Sequence, residues 1–342
     1  MTSYPTNNNP QISNYLNLKS EIISKTTTYE AALLLKNENC GSKFMLHSTP
    51  TEKICLFFHG FTASPEQFLQ IGEAFFKAGY NVIIPLLPGH GMAGNWDKNN
   101  PPPLPEDKKV YQEFGIQWLQ IAQGLGEKVI LGGLSGGSTL AAWLAIERAV
   151  QIHKNLIFAP YLSGSNPLVD LVVESFDIYF KWKTAPGCVS FGYEGFIMPA
   201  LRVFLDMGED ILEQAKIRYS APMFIISSES DRAVGKHEHQ ELFHAVIHHQ
   251  PKSWYHCFER ELDIEHNMMT EAEGNKHADL VISLAKAYIE SDLTWIEFQQ
   301  MCGRIEQGYL NTVVNQLNLN NRVSPELLQI CSHFSMLRDR SS

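Results

Sequence analysis

The chain has 342 residues, 44% of them hydrophobic, which allows one large domain or two ordinary ones around a buried core. Its formal charge of -10, with only 27 Lys plus Arg and no basic run, excludes a surface built to hold phosphate backbones, so no nucleic-acid partner is expected. The polar N-terminus lacks the basic-then-apolar order of a signal peptide, and no stretch reaches about eighteen uninterrupted apolar residues, so neither secretion by that route nor a transmembrane span is expected.

In chain order, the first twelve or so residues read as disordered and residues 14–36 as helix, together an N-terminal extension over 1–45. From Lys53 a rhythm begins. ICLFF (Ile54 to Phe58) is a strand, PEQFLQIGEAFFKAG has helical spacing and stops at Gly79, and NVIIP (Asn81 to Pro85) is the next strand. The prolines Pro101 to Pro105 make a stiff loop, Val110 to Ala122 a helix, and KVILG a strand that runs into glycines. Strands follow at Asn155 to Ala159, Met223 to Ser227 and Ser253 to Phe258, separated by helical stretches at Glu238 to His249 and Glu271 to Glu290. Short apolar strands alternating with helices predict a mostly parallel sheet covered on both faces, here over residues 46–290. Between Pro160 and Ser220 the rhythm breaks for about sixty residues without a clear strand, rich in aromatics from Phe176 to Phe196. That length predicts a lid or binding insertion, at about 161–220. Residues 291–342 read as a helical extension whose last helix opens on Ser324 and Pro325. The six cysteines include no C-x-x-C pair, and Cys55 and Cys257 lie in apolar runs where a buried thiol is expected, which fits a reducing, cytoplasmic setting.

Residues 129 to 137 read VILGGLSGG and contain the pattern G-x-S-x-G around Ser135. A strand before it and the helical STLAAWLAIERAV after it put the serine on a turn at the carboxyl end of the sheet, where open α/β sheets bind ligands. Such a turn holds a nucleophile exposed and strained, and its glycines let strand and helix approach closely. A phosphate-binding loop is the competing reading, but no Lys follows the glycines and the G-x-G-x-x-G spacing is missing. A serine needs a base, and the base an orienting carboxylate. His266 follows the last predicted strand by a few residues, and Asp231 follows the strand MFIIS, with Glu229 as its nearest competitor.

The motifs HGFTASP (His59 to Pro65), GYNVIIPLLPGHG (Gly79 to Gly91), GLSGG (Gly133 to Gly137), ESDRAV around Asp231 and EHNMM around His266 resemble those of α/β-hydrolases of the carboxylesterase and monoacylglycerol-lipase type, over roughly residues 53–290. The resemblance implies the α/β-hydrolase fold with a Ser135 nucleophile, His266 as general base and then acid, and Asp231 holding the imidazole. It further implies an oxyanion hole from the backbone N-H groups of Phe61 and Gly136, and needs no cofactor or metal. Phe61, Leu134, Phe180, Trp182 and Phe196 are the expected substrate-binding residues, although the insertion's aromatics also suit the core of a small cap. The chain departs from the family at Gly136, where a bulky residue such as Met is common and where glycine predicts a more mobile turn. It departs again at Glu265, where glycine is usual; a carboxylate beside the base predicts a raised histidine pKa.

His90 reads as a structural hydrogen-bonding residue. His237 and His239, with the pair His248 and His249, read as a solvated helix face, because zinc needs three or four convergent ligands. The function expected is hydrolysis of carboxylic esters carrying a hydrophobic group. Thioester or amide cleavage by the same triad stays open, as does a silent hydrolase fold that binds a lipid-like ligand or a protein partner. Peripheral membrane contact through either extension is also left open.

Overall fold

The computed structural model describes residues 10–165, 167–182, 187–305 and 310–338. Of the residues expected to be disordered, 1–9 lie outside these, and helix α1 (Pro10–Ala31) starts directly after them. A seven-stranded sheet forms the centre. Its strands are β1 (Lys43–Met45), β2 (Thr51–Phe58), β3 (Asn81–Ile84), β4 (Gly126–Leu134), β5 (Lys154–Phe158), β8 (Met223–Ser228) and β9 (Trp254–Phe258), with β6 (Tyr179–Lys181) and β7 (Gly195–Ile197) paired apart from it. The order is β1-β3-β2-β4-β5-β8-β9, and every pairing is parallel except that of β1 with β3. Residues Ile54 to Phe58 of β2 and Lys154 to Phe158 of β5 are buried throughout, the pattern of strands covered on both faces.

The helices α2 (Leu69–Lys77), α3 (Lys108–Gln123), α4 (Gly136–Glu147), α5 (Pro167–Ser175), α6 (Met198–Ala215), α7 (Lys236–Ile247) and α8 (Ala278–Glu290) supply the covers and the insertion. Strand order decides where the site can be. The chain passes from β2 outward to β3, returns to the other side of β2 as β4, and then proceeds through β5 to β9. The loops after β2 and β4 therefore leave the sheet side by side at a switch point, which opens a crevice beyond their carboxyl ends.

Three features differ from the sequence reading. The sheet begins at Lys43 with an antiparallel edge strand, three residues being too short for a periodicity signal. The insertion, read as strandless, contains β6 and β7, antiparallel with Phe180 opposite Phe196, between α5 and α6. Cys55 is buried in β2, whereas Cys257 is only partly covered because β9 is an edge strand.

Both extensions are packed down. From α1, Tyr15 and Ile22 join the core, and Lys19 Nζ donates to the carbonyls of Leu46 and His47. At the other end come α9 (Trp295–Ile305), α10 (Leu310–Gln316) and α11 (Pro325–Arg338), the last opened by Ser324, whose Oγ accepts the Leu327 N-H at 3.1 Å. Trp254 of β9 stacks on Phe298 at 4.3 Å and donates its indole N-H to the Leu293 carbonyl at 3.1 Å. Arg322 holds Glu297 through two nitrogens at 2.6 and 2.7 Å, and buried Lys154 donates to the carbonyls of Tyr288 and Ser291. A chain ending at Glu290 is therefore expected to melt at a lower temperature than the full chain, since Trp254 would lose its cover; equal midpoints would show that the extension adds no stability.

Candidate active site

The glycines around Ser135 are explained by distance. A Cβ on Gly137 would lie 2.2 Å from the Phe58 carbonyl oxygen and 2.4 Å from that of His59, and one on Gly133 would lie 2.4 Å from the Gly137 carbonyl. Strand β4, helix α4 and strand β2 thus meet backbone to backbone. Between them Ser135 sits at φ 55 and ψ -123, in the left-handed region that a non-glycine residue occupies only when its surroundings enforce it. The surroundings do so through hydrogen bonds to the end of β5. The Ser135 N-H and the Ser138 hydroxyl both donate to the Phe158 carbonyl, at 3.1 and 2.8 Å, and the Thr139 hydroxyl donates to that of Tyr161 at 2.8 Å.

Gly136, where a more mobile turn was expected, does not leave open space. Its missing side chain is replaced from another element: a Cβ there would already lie 3.1 Å from the ring of Phe204 on α6, which is fully buried and packs on Phe61 and Tyr111.

His266 lies on the loop after β9, and its Nδ1-H donates to Asp231 Oδ2 at 2.8 Å; the two side chains are 21% and 4% exposed. Asp231 also accepts from the backbone N-H groups of Ala233 and Val234. Burial alone would raise its pKa, but the imidazole's charge and hydrogen bond with those two amides outweigh burial and hold the carboxyl below its ordinary range. The competitor Glu229 is exposed and pairs instead with Lys236.

Burial opposes the charged form of His266, yet Asp231, and then Glu273, more than compensate, so its pKa is raised. The direction agrees with the sequence reading and the source differs. Glu265, the expected carboxylate, is solvent-exposed, and the second acid acting on the imidazole is Glu273.

Ser135 and His266 line one cavity of about 490 Å³, within the usual range for small-molecule sites. Phe61, Leu134, Phe180, Trp182 and Phe196, the expected pocket residues, all line it; Asp231 and Gly136 stand behind its walls. Other lining residues went unread in the sequence, among them Gln67, Glu273 and the exposed Arg232. Gln67 carried a usable signal, seven residues after Gly60 in the same motif loop; Glu273 carried none, because chain folding alone brings it there. A shallower depression of about 440 Å³ along α1 is lined by a single helix, and its Lys19 is already committed to two carbonyls.

Two buried histidines shape the loop after β2. Leu87 N-H donates to His59 Nε2 at 3.0 Å and Thr62 N-H to His90 Nε2 at 3.1 Å, while their Nδ1-H groups donate to the carbonyls of Gly60 and Pro88. Burial keeps both neutral, His90 with a pKa pushed down to about 4. They are struts holding Thr62 at φ 67 and with it the Phe61 amide. The insertion is fastened to the same loop, since Trp182 Nε1 donates to Thr62 Oγ1 at 3.0 Å and Tyr193 N-H to the Thr62 carbonyl at 2.9 Å.

The HEH stretch needs a correction. His237 is exposed as expected, but His239 is buried, with Nε2-H donating to Pro160 and Nδ1 accepting from the Ser227 hydroxyl, both at 2.7 Å. A helix carries a buried face as well as a solvated one, and alternate residues can fall on opposite sides. Among the described residues, no group of three or more His, Cys, Asp or Glu is placed to hold a metal, and no helix is long and apolar enough to cross a membrane.

Residues 55–261, more than half of the chain, match the family described as alpha/beta hydrolase. The chain belongs to the alpha/beta hydrolase family. A thermostable monoacylglycerol lipase from Bacillus sp. (strain H-257) is 34% identical over 90 residues, which are 26% of this hydrolase and 34% of that lipase, so the likeness spans about a third of the relative. Among solved structures, a metagenome-derived lipolytic enzyme superposes with a TM-score of 0.61 at 18% identity, covering 74% of this chain and 98% of that one. The monoacylglycerol lipase of Paleococcus ferrophilus gives 0.57 at 15%, covering 72% and 97%, and a soluble variant of monoglyceride lipase from Saccharomyces cerevisiae gives 0.57 at 11%, covering 75% and 94%. At such identities the shared property is the α/β-hydrolase fold, which the seven-stranded sheet displays.

Proposed function

We propose that this hydrolase cleaves carboxylic esters with a hydrophobic acyl or alcohol group, using Ser135, His266 and Asp231. The observation that carries the reading is a strained serine on the wall of the same cavity as a histidine whose Nδ1-H is held by a buried carboxylate. Ser135 Oγ attacks the ester carbonyl while His266 Nε2 takes its proton. The Phe61 N-H and the Gly136 N-H, a first-turn amide of α4 with no intrahelical acceptor, receive the oxyanion. Collapse breaks the bond to the alcohol, which leaves with the proton from His266, and the acyl group stays on Ser135. Water, deprotonated by the same imidazole, then releases the acid. The Ser135 to His266 hydrogen bond forms with substrate in place, as such bonds commonly do.

The cavity's apolar wall supports a hydrophobic substrate: Phe180 and Trp182 are each 40% exposed, so they stand at its mouth, while Phe196 is buried behind them. The monoacylglycerol lipase among its relatives points to an acyl ester as well. The test is turnover of nitrophenyl esters of increasing acyl length, alongside a matched thioester, by the purified chain. Because only neutral His266 accepts a proton and its pKa is raised, the acidic limb of kcat/KM is expected above pH 6.5. A limb at lower pH would mean that another group is the base. A folded chain that turns over none of these substrates would favour a binding role.

A further inference from the structure

Besides His266, the cavity is lined by two carboxyls, the exposed Glu265 and the more deeply placed Glu273. Glu273 ends the 3-10 turn Glu271–Glu273, where its N-H donates to the Thr270 hydroxyl at 3.2 Å. Its Oε1 accepts from Gln67 Nε2 at 2.8 Å, and Gln67 Oε1 accepts the Gly60 N-H, also at 2.8 Å. Glu273 Oε2 is buried with no hydrogen-bond partner. An oxygen buried in this way is costly, so its position calls for a compensating role. The insertion closes over the turn, with Val189 N-H donating to the Ala272 carbonyl at 2.8 Å and the Cys188 thiol beside Gly274.

The groups facing Glu273 are neutral Gln67 from the 3-10 turn Pro65–Phe68 and His266 from the loop after β9; Arg232 and Glu265 line the same cavity as exposed side chains, and Glu271 of its own turn is exposed. We propose that Glu273 is a positioning residue of the hydrolytic site, tying the loop of the base to the loop of the Phe61 amide through Gln67, and setting with its charge the proton affinity of His266. The proposal rests on the reading of His266 as the base. Burial pushes the Glu273 carboxyl up to about 7, against the Gln67 hydrogen bond and the charge of His266, so its charge changes over the range in which the base works. When ionised, Glu273 stabilises the imidazolium that forms as Ser135 loses its proton. When protonated, it withdraws that support.

The experiment is an NMR titration of the histidines in the intact chain, with His266 assigned by its loss in His266→Gln. Glu273→Gln removes the charge and keeps both the shape and the link to Gln67; the His266 midpoint is expected to fall, and the acidic limb of ester turnover to fall with it. Glu273→Asp, which keeps the charge, should bring the midpoint back toward the wild type. Gln67→Met removes a donor that favours the ionised carboxyl and should lower the midpoint as well, which provides a second variant if the first folds poorly. An unchanged His266 midpoint in Glu273→Gln overturns the proposal. The titration needs no turnover, so a chain that lacks esterase activity but shows the downward shift would refute the hydrolytic reading while upholding the electrostatic tie.

Discussion

Replacing Ser135 by alanine is expected to reduce ester turnover by ~10⁴-fold or more, since the nucleophile and the path through an acyl-enzyme disappear together. Asp231→Asn should cost about as much, ~10⁴-fold in kcat, for a different reason. An amide nitrogen facing Nδ1 would donate rather than accept, forcing the proton onto Nε2, the atom that must be bare to accept from Ser135. Ser135→Ala should melt near the wild type, whereas Asp231→Asn, which removes a buried charge held by His266 and two amides, should melt somewhat lower while staying folded. The decisive companion measurement is intact mass after a fluorophosphonate probe. The wild type should gain one adduct, mapped to Ser135, Ser135→Ala should gain none, and Asp231→Asn should react far more slowly. A Ser135→Ala chain that still hydrolyses esters would remove the serine from the mechanism.

Gly137→Ala is expected to destabilise the chain by about 3 kcal/mol or more and to remove activity with it, because the new methyl meets backbone rather than a movable side chain. The two nearest atoms are carbonyl oxygens of Phe58 and His59, at 2.2 and 2.4 Å, and neither can yield without shifting β2 or the start of the loop that carries the Phe61 amide. Gly303→Ala makes the contrast. That glycine lies in α9, and a Cβ there meets nothing within 4 Å, so alanine should be neutral or raise stability by ~0.5 to 1 kcal/mol through helix propensity. Thermal melts of the two variants beside the wild type check both statements. Equal midpoints for Gly137→Ala and the wild type would mean that β2 and α4 are less tightly apposed than the structure has them.

The parts of the fold that were legible had long, repeated signals. β2, β4, β5 and β8 are apolar runs with every residue of their cores buried, and the helices between them carry an amphipathic spacing, so the parallel sheet followed from the pattern. β1, β6 and β7 escaped because three residues cannot show a period. The turn around Ser135 was legible through its glycines, whose spacing reflects the contact of Gly133 with Gly137 and of Gly137 with β2. Histidine was read less well: from one strand and one loop, His90 was rightly taken as a hydrogen-bonding strut, whereas His239 was assigned to solvent because its partners, Ser227 and Pro160, lie on two other strand ends.

By itself the amino-acid sequence determined the strands, the alternation of covers and the strand-to-helix turn, because these leave patterns among residues close in the chain, although the parallel pairing itself joins distant segments such as Thr51 and Gly126. Only the tertiary structure decided what fills the space beside Gly136 and which carboxylate acts on His266. Phe204 comes from 68 residues further along the chain, and Glu273 reaches Gln67 across a separation of 206 residues. Contacts of that kind leave no periodic trace, since packing and electrostatics act through distance in space, and the folded sheet alone brings those residues within reach of one another.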